Sequence, residues 1–410
     1  MFAPGSALSP LRWPVFRAIW IANLASSLGS LIEATAAAWV MTELTSSHLL
    51  VALVQASVTI PVLALALLAG VIADQYDRRI VMLLSTLAML VLSSVLAVLA
   101  WIGALSPASL LFFTLAIGAG YAINGPAWQA SVRLMVPRED LPQAISLNAV
   151  SYNVARSLGP AIGGVLLSLA GPSTAFTVNA VSYLGLIWIL LRWRPEVAPR
   201  PRHPMLPAIA SGVRFAASSS PVRRVLVRST AFGAGIIAVQ ALLPLVAKEQ
   251  LRSGEMGFGL IFGSFGVGAV ISAMWIARAR RRFGPEAVVA GASLIAAFAT
   301  ALLALAPTVP VAMAAAFLAG SGHVSALTSL NVAIQMRSPD ELLGRVLSIY
   351  QAMIFGGMAL GAAAWGALSD LAGTSAALLA AAAWLLVSLG VMRVFAPMPK
   401  IGEGIAKPAA

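Results

Sequence analysis

The chain has 410 residues, 60% of them hydrophobic and 10% charged, with a net charge of +12 and a mean hydropathy of +0.92. A single soluble core is excluded, because the apolar residues gather in blocks of about 20 or more, long enough to cross a bilayer. A nucleic-acid partner is excluded too, because the basic residues are scattered over short segments between those blocks rather than clustered on one folded domain.

In chain order the blocks predict twelve membrane-spanning helices: α1 15–41, α2 49–73, α3 80–102, α4 108–133, α5 142–170, α6 173–191, α7 223–248, α8 256–277, α9 286–306, α10 309–335, α11 343–369 and α12 374–394. The polar start, Met1 to Pro14, lacks the short apolar core and cleavage site of a signal peptide and is expected to stay attached. Strongly polar side chains fall on particular helices: Asn23 and Glu33 on α1, Gln55 on α2, Asn124 and Gln129 on α4, and Asn148, Asn153 and Arg156 on α5. After the midpoint come Gln240 on α7, His323, Asn331 and Gln335 on α10, and Gln351 on α11. Helices α3, α9 and α12 carry none and α6 only Asn179, so every third helix is expected to face lipid while the others line a wetter centre. Helix α8 lacks amides but is rich in glycine, including Gly259, Gly263 and Gly266.

The longest polar stretch, rich in Pro and Arg, runs from Arg192 to Arg224 and divides the chain. The expected organisation is a six-helix bundle over 1–191, a linker over 192–222, a second bundle over 223–395 and a tail over 396–410. Other loops are short, which makes neighbouring helices antiparallel and leaves no room for a soluble catalytic domain. With both termini placed in the cytoplasm, all Lys and Arg except Lys248, Arg252 and the mid-span Arg156 fall on the cytoplasmic side, as the positive-inside rule requires. The expected location is therefore the inner cell membrane.

The two halves are related. Residues Pro137 to Gly171 reappear 202 positions later as Pro339 to Gly373, with Ser146/Ser348, Gly159/Gly361, Gly164/Gly366 and Gly171/Gly373 in step. Two repeated membrane halves with a site between them is the arrangement of secondary transporters. The repeat is incomplete in its charges: Arg156 aligns with Met358, Pro160 with Ala362 and Asn148 with Tyr350. Coupling is thus expected to rest mainly on the first half.

Glu33 and Arg156 are the ionisable residues of opposite sign deep in the apolar runs, and burying either alone would cost several kcal/mol. Counted from the predicted starts of their helices, their depths differ by only about 5 Å, so they are expected to pair. Two readings stand: proton uptake and release by Glu33, with Arg156 tuning it or binding an anionic cargo, or a static ion pair fixing α1 against α5. His323 is a third proton-coupling candidate, against a packed, hydrogen-bonded ring. Asn124, Gln129, Asn148, Asn153, Gln240, Asn331 and Gln351, with Trp39, Tyr121, Trp128, Tyr152 and Tyr350, are candidates for an amphipathic cargo cavity, though some will bond to neighbouring helices instead.

Between α2 and α3, GVIADQYDRR carries Gly70, Asp74, Arg78 and Arg79 and resembles the cytoplasmic loop signature of the major facilitator superfamily. Gln75 and Asp77 depart from the usual basic residue and glycine, and the loop after α8 keeps arginines but lacks the aspartate. The segments VPREDLPQAISLNAVSYNVARSLGPAIGGVLL and SPDELLGRVLSIYQAMIFGGMALGAAAWGALSD are similar to the branch containing the enterobactin exporter and macrolide efflux proteins, over about Phe16 to Val394. The resemblance implies an all-α fold of two pseudo-symmetric six-helix bundles that exports a small molecule. It further implies a cytoplasmic latch of Gly70, Asp74, Arg78, Arg79 and Arg133, whose bland counterpart is ordinary positive-inside charge. Gly159, Pro160, Gly163 and Gly164 resemble the superfamily's antiporter-associated motif, with α8 as the natural partner across a gating interface; generic tight packing is the rival reading.

The leading expectation is a proton-coupled exporter working by alternating access, as a monomer, with small-molecule cargo and protons as partners and no cofactor or metal. The absence of cysteine excludes thiolate metal sites and cysteine nucleophiles, and the absence of a phosphate-cradling G-x-x-x-x-G-K-[ST] segment excludes ATP as the direct energy source. Proton-coupled nutrient uptake is the alternative. An enzyme is disfavoured by the lack of catalytic motifs, and a lipid translocase by the apolar character of the lipid-facing helices.

Overall fold

The computed structural model describes residues 8–195, 205–339 and 342–398; within them the chain is helical, with no strand. Ten continuous runs are long and apolar enough to span a membrane. Two of these, Leu141–Arg192 and Gly254–Ala304, contain 52 and 51 residues. As straight helices they would reach roughly 75 Å, more than twice the hydrocarbon thickness. Each is instead reversed at one glycine in the left-handed region, Gly171 (φ 77°) and Gly284 (φ 80°), followed directly by proline. Glycine takes that φ without steric cost, and the proline opens the next helix where its missing N–H is not needed. The reversal shows in the packing: Gly159 and Ser182, on opposite sides of Gly171, meet α1 at Leu31 and Gly29.

Twelve spans result: α1 Pro14–Leu44, α2 His48–Gln75, α3 Arg78–Trp101, α4 Pro107–Ser131, α5 141–170, α6 172–192, α7 Ser220–Leu245, α8 254–283, α9 285–304, α10 Val309–Gln335, α11 Leu343–Ala372 and α12 Thr374–Phe395. Gly373 (φ 87°) divides α11 from α12 as its repeat mate Gly171 divides α5 from α6. The helix ends that carry the N-terminal segment, the linker and the C-terminal segment share one face of the molecule, here the linker face; the other is the far face.

The linker is not simply a polar connector. Residues 196–204 of the expected linker and 399–410 of the expected tail lie outside the described residues, but Met205–Ser218 forms a helix. Its Gly212 lies against the Arg345 side chain of α11, and Arg345 donates to Ser211 Oγ at 2.7 Å. The apolar positions Phe215 and Ala216 bury it against the core, a pattern the surrounding prolines and arginines obscure in the sequence.

Helices α3, α6, α9 and α12 expose large apolar side chains such as Leu84, Val91, Val181, Trp188, Phe298, Val387 and Val394, as lipid-facing spans do. Yet α3 is not apolar all round: Ser85, Thr86 and Ser93 are buried on its inner face. Ser85 and Thr86 satisfy their own helix backbone, and Ser93 reaches a neighbouring helix, which a count of amides and charges overlooks.

Two acids anchor the chain ends at the linker face. Asp140, before α5, accepts from Ser9 Oγ (2.6 Å), Trp13 Nε1 (2.9 Å) and Arg12 Nη2 (2.8 Å). The bonds from Ser9 and Trp13, then the Arg12 contact, hold its carboxyl below the usual range. Glu286, at the start of α9, takes both terminal nitrogens of Arg228 at 2.7 Å and the backbone N–H of Met398 at 2.8 Å.

Candidate functional site: the interface between the halves and the buried carboxyl of α1

Helix α5 crosses α8 of the other half along a stripe of small residues. A Cβ on Gly164 would stand 2.6 Å from Gly259 Cα, one on Gly263 would stand 3.0 Å from Ala161 Cβ, and one on Gly266 would stand 2.5 Å from Ser157 Cα. The expected α5–α8 pairing is therefore present, but the GPxxGG run divides its work. Gly159 and Gly163 face α1, against Leu31, Ile32 and Thr35, and Pro160 and Gly164 face α8. The related crossing of α11 on α2 uses Gly366, the repeat mate of Gly164, against Leu49 and Ala52.

At the far face the halves are also tied by polar bonds. Asp370 of α11 caps the N-terminus of α2, accepting from His48 N (2.5 Å), Leu49 N (3.0 Å) and Ser47 Oγ (3.1 Å). A carboxylate there satisfies orphan N–H groups and meets the positive end of the helix dipole. His48 Nδ1 lies 2.8 Å from Ser369 Oγ and its Nε2 3.1 Å from Glu249, and Lys248 donates to the Thr42 carbonyl. None of these residues stands out in the sequence, because each sits in a short loop or at a helix end where polar residues are ordinary.

Towards the linker face, beyond Arg156, no hydrogen bond joins the halves among the described residues. On the same stripe of α5 that carries Ser157 and Gly164, the residues nearer the linker face, Pro142, Gln143, Ser146, Leu147 and Val150, border a cavity of about 320 Å³. Arg156 lies where the contact ends and the cleft begins. Its Nη2 is 3.3 Å from His323 Nε2 of the other half, and its guanidinium sits 5.5 Å from the centre of the Phe265 ring. His323 is buried and meets Phe265 edge to face at 5.5 Å. Above it an aromatic column, Phe265, Phe262, Phe258 and Trp39, with successive centroids 6.4, 5.9 and 5.8 Å apart, fills the interface towards the far face.

The amide candidates separate into groups. Asn124 is buried and donates to Ser85 Oγ (3.0 Å) and Thr86 Oγ1 (3.1 Å), so it ties α4 to α3 rather than lining a cavity. Gln240 lies across the interface from Gln55 at 3.5 Å. Asn148 and Asn153 are half-buried on α5, Gln129 and Gln351 are exposed, and Asn331 accepts from Gln335 at 2.5 Å. Tyr350 bonds the Leu327 carbonyl at 3.1 Å, Tyr121 bonds Tyr183, and Trp128 is core. Several buried polar atoms have no protein partner: Gln143 Oε1, Asn148 Oδ1, Ser151 Oγ, Ser157 Oγ, Gln240 Nε2 and His323 Nδ1. Such atoms call for water or ligand, and four of them belong to α5. Gln143, Ser151 and Ser157 escape a search for strongly polar residues deep in the spans.

The expected Glu33–Arg156 pair does not form. Glu33 faces the interior of its own half, where its carboxylate accepts from Ser93 Oγ (2.8 Å) and from Asn179 Nδ2. Asn179 also contacts the Tyr183 hydroxyl at 3.2 Å, which joins Tyr121 at 2.9 Å. Equal depth is not equal direction: the two side chains leave their helices on different sides, a matter of helix rotation that depth does not reveal. Among the described residues no cation lies within 4.0 Å of Glu33. Asn179, on a helix expected to face lipid, is its main partner.

Of the expected loop latch, the side chain of Asp74 lies outside the described residues, though its backbone belongs to α2. Arg78 donates to the Ala73 (3.3 Å) and Ala130 (2.7 Å) carbonyls, and Arg79 to Leu190 (2.6 Å) and Leu191 (3.0 Å). Both arginines thus cap the C-terminal ends of α2, α4 and α6 in their own half. Arg133 is exposed, and a Cβ on Gly70 would meet nothing.

Comparison with known proteins decides the family. Residues 5–408 match the family described as transmembrane secretion effectors, a group within the major facilitator superfamily. The chain belongs to this family. The multidrug efflux pump Tap of Mycolicibacterium fortuitum is 26% identical over 95% of this chain and 97% of its own. The enterobactin exporter EntS of Shigella boydii serotype 4 is 27% identical over 92% and 91%. Among solved structures, a mutant form of the nucleoside transporter NupG superposes with a TM-score of 0.77 at 13% identity, covering 92% of this chain and 98% of that one. An occupied, inward-facing bacterial homologue of the lysosomal transporter Spinster gives 0.75 at 15%, covering 98% and 99%. The fold is therefore that of the major facilitator superfamily, and the chain is a multi-pass membrane transporter.

Proposed function

We propose that this transporter exports a small molecule by alternating access, coupled to proton entry. The observation that carries the reading is the shape of the interface: a cleft opening at the linker face beneath a seam of glycines, aromatics and the Asp370 cap at the far face. The positive-inside bias assigns the linker face, with both termini, to the cytoplasm. Cargo then enters from the cytoplasm, and the two bundles, 1–191 and 223–395, rock about the α5–α8 and α2–α11 crossings while the linker over 192–222 joins them. The full-length likeness to an efflux pump and a siderophore exporter supports the outward direction.

In this reading Glu33 carries the proton. A carboxyl buried with two hydrogen-bond donors and, among the described residues, no counter-cation changes its surroundings' charge by a full unit when a proton arrives, which is how proton relays in transporters bias a packed interface. The tyrosine pair Tyr121–Tyr183 and Asn179 form the bonded surroundings that respond. The test is efflux of a panel of dyes and drugs from proteoliposomes with an imposed pH gradient. Gradient-driven efflux that collapses on dissipating the gradient is expected. Uptake along the same gradient would replace export by symport, and gradient-insensitive flux would overturn proton coupling.

A further inference from the structure

Among the described residues Arg156 has no counter-charge, and that bears on the cargo. Of the acids in the described residues, Glu43, Asp77, Glu139, Asp140, Glu249, Glu255, Glu286 and Asp370 all sit at helix ends or in loops. Glu33, the one acid in mid-span, is engaged by Ser93 and Asn179 inside its own half. The guanidinium at the head of the cleft therefore meets an imidazole nitrogen and an aromatic ring, both of which accommodate a cation without cancelling its charge. A cation at bilayer depth costs several kcal/mol unless something negative or wet compensates it. The linker-face ends of the helices carry exposed Arg133, Arg138, Arg278 and Arg345 against exposed Glu139, a net positive charge that concentrates anions. One turn from Arg156 on α5, Tyr152 is 56% exposed.

We propose that the cleft binds an organic anion, its acidic group held by the Arg156 fork and its apolar or aromatic body laid on Tyr152. The proposal rests on the reading of this cleft as the cargo path, but it concerns binding rather than direction or coupling. Among the described residues Arg156 bonds His323 through one terminal nitrogen, which leaves guanidinium donors to take a carboxylate, phenolate or sulfonate in the forked geometry such groups prefer. The guanidinium would then bring the anion beneath Phe265, at the foot of the aromatic column that closes the far side.

The test is ligand-induced thermal stabilisation of the purified full-length protein by matched aromatic pairs: 1-naphthalenesulfonate against 1-naphthalenesulfonamide, salicylate against salicylamide, and anthranilate against its methyl ester. Wild-type protein is expected to be stabilised by at least one anion and by none of the neutral partners. Arg156→Gln is expected to need about tenfold or more anion for the same shift, corresponding to the loss of one charge-assisted fork, and Arg156→Lys to recover part of it. Equal stabilisation by both members of the pairs, an Arg156→Gln protein with undiminished anion response, or a wild type that no anion stabilises would overturn the proposal. Should anions bind with this dependence while proteoliposomes show no proton-driven efflux, the export reading fails and the anion site stands.

Discussion

Helix α7 and its last turn, 220–250, repeat α1, 14–44, at a shift of 206, since Gly29 meets Ser182 as Gly235 meets Trp384; the position of Glu33 is therefore taken by Val239 in the second half. Glu33 meets Asn179 and Ser93, whereas Val239 is fully buried in the apolar core. Asn179 has Ala381 as its repeat mate, Tyr183 has Leu385, and Ser93 has Thr300, whose hydroxyl bonds its own helix at the Ala296 carbonyl. The second half therefore fills with apolar packing the space in which the first half keeps a hydrogen-bonded carboxyl. Tyr121 and its mate His323 differ in the same sense: the tyrosine bonds within its own half, and the histidine reaches across the interface to Arg156. Gene-scale doubling has preserved the crossings that let two bundles pack, and divergence has placed the buried carboxyl on one side only.

The most severe break of that asymmetry is Glu33→Gln. Glutamine keeps an oxygen for Ser93 and Asn179, so the fold is expected to persist, while the group proposed to take up and release a proton is gone. Gradient-driven efflux is expected to fall by about tenfold or more, with downhill exchange of cargo preserved. Efflux that remains fully gradient-driven at normal protein levels would remove Glu33 from coupling and with it the functional meaning of the Glu33/Val239 difference.

Where the halves agree, matched substitutions should act alike. Gly164 and Gly366 are repeat mates, each at a crossing that closes the far face. Valine at either has no room, and overpacking of this kind costs about 1–3 kcal/mol, enough to lower the closed population by roughly 5–150-fold. The chain has no native cysteine, so Leu49→Cys on the far face reports opening directly through thiol labelling. Faster labelling is expected in both variants. Alanine should separate them: Gly164 faces the Gly259 backbone, whereas the nearest atom to Gly366 is the Ala52 methyl. Gly164→Ala is therefore expected to disturb more, and equal labelling by the two alanine variants would show that the crossings are interchangeable.

The architecture is legible in the sequence because its signals are long and redundant. Block length, the position of arginines and the 202-residue echo each specify twelve spans in two bundles, and a few residues of error at any helix end changes nothing. The glycines of α5 and α8 are legible as an interface for the same reason, since small residues at helical spacing have one common use in a bilayer. The partners of Glu33 and Arg156 are not legible. Both sit at similar depth, and which way each points depends on helix rotation, set by packing along α1 and α5 that no local pattern encodes. Asn179 is easily discounted because its helix is apolar, yet one polar residue on a lipid-facing helix is costly enough to need a buried purpose. The far-face cap escapes notice because Asp370, His48 and Ser47 meet only in three dimensions.

Asn179→Leu tests how far the first half tolerates the chemistry of the second. Glu33 would keep only Ser93, and leaving a buried acceptor short of a partner costs about 1–3 kcal/mol. A lower melting temperature in detergent is expected, and the double variant Glu33→Val with Asn179→Leu, which copies the apolar packing around Val239, should recover part of it. A single variant that melts with wild type would show that Asn179 is not the main holder of the carboxyl.

The smallest effect is expected at the far face, where the halves differ again. Asp370 caps α2, but its repeat mate Ser168 is exposed and makes no such bond in the structure. Only one of the two crossings is therefore pinned by charge, and Asp370→Asn removes that charge while leaving an oxygen to accept from the α2 backbone. The loss is the favourable contact of a carboxylate with a helix N-terminus, about 0.3–1 kcal/mol, or roughly a two- to fivefold shift towards far-face opening. Thiol labelling of Leu49→Cys beside α11 should rise by that factor, while labelling of Leu169→Cys beside Ser168 should rise equally if the bundles rock as rigid bodies. A rise at Leu49→Cys alone would mean that the cap holds a local helix end and that the seam opens one crossing at a time.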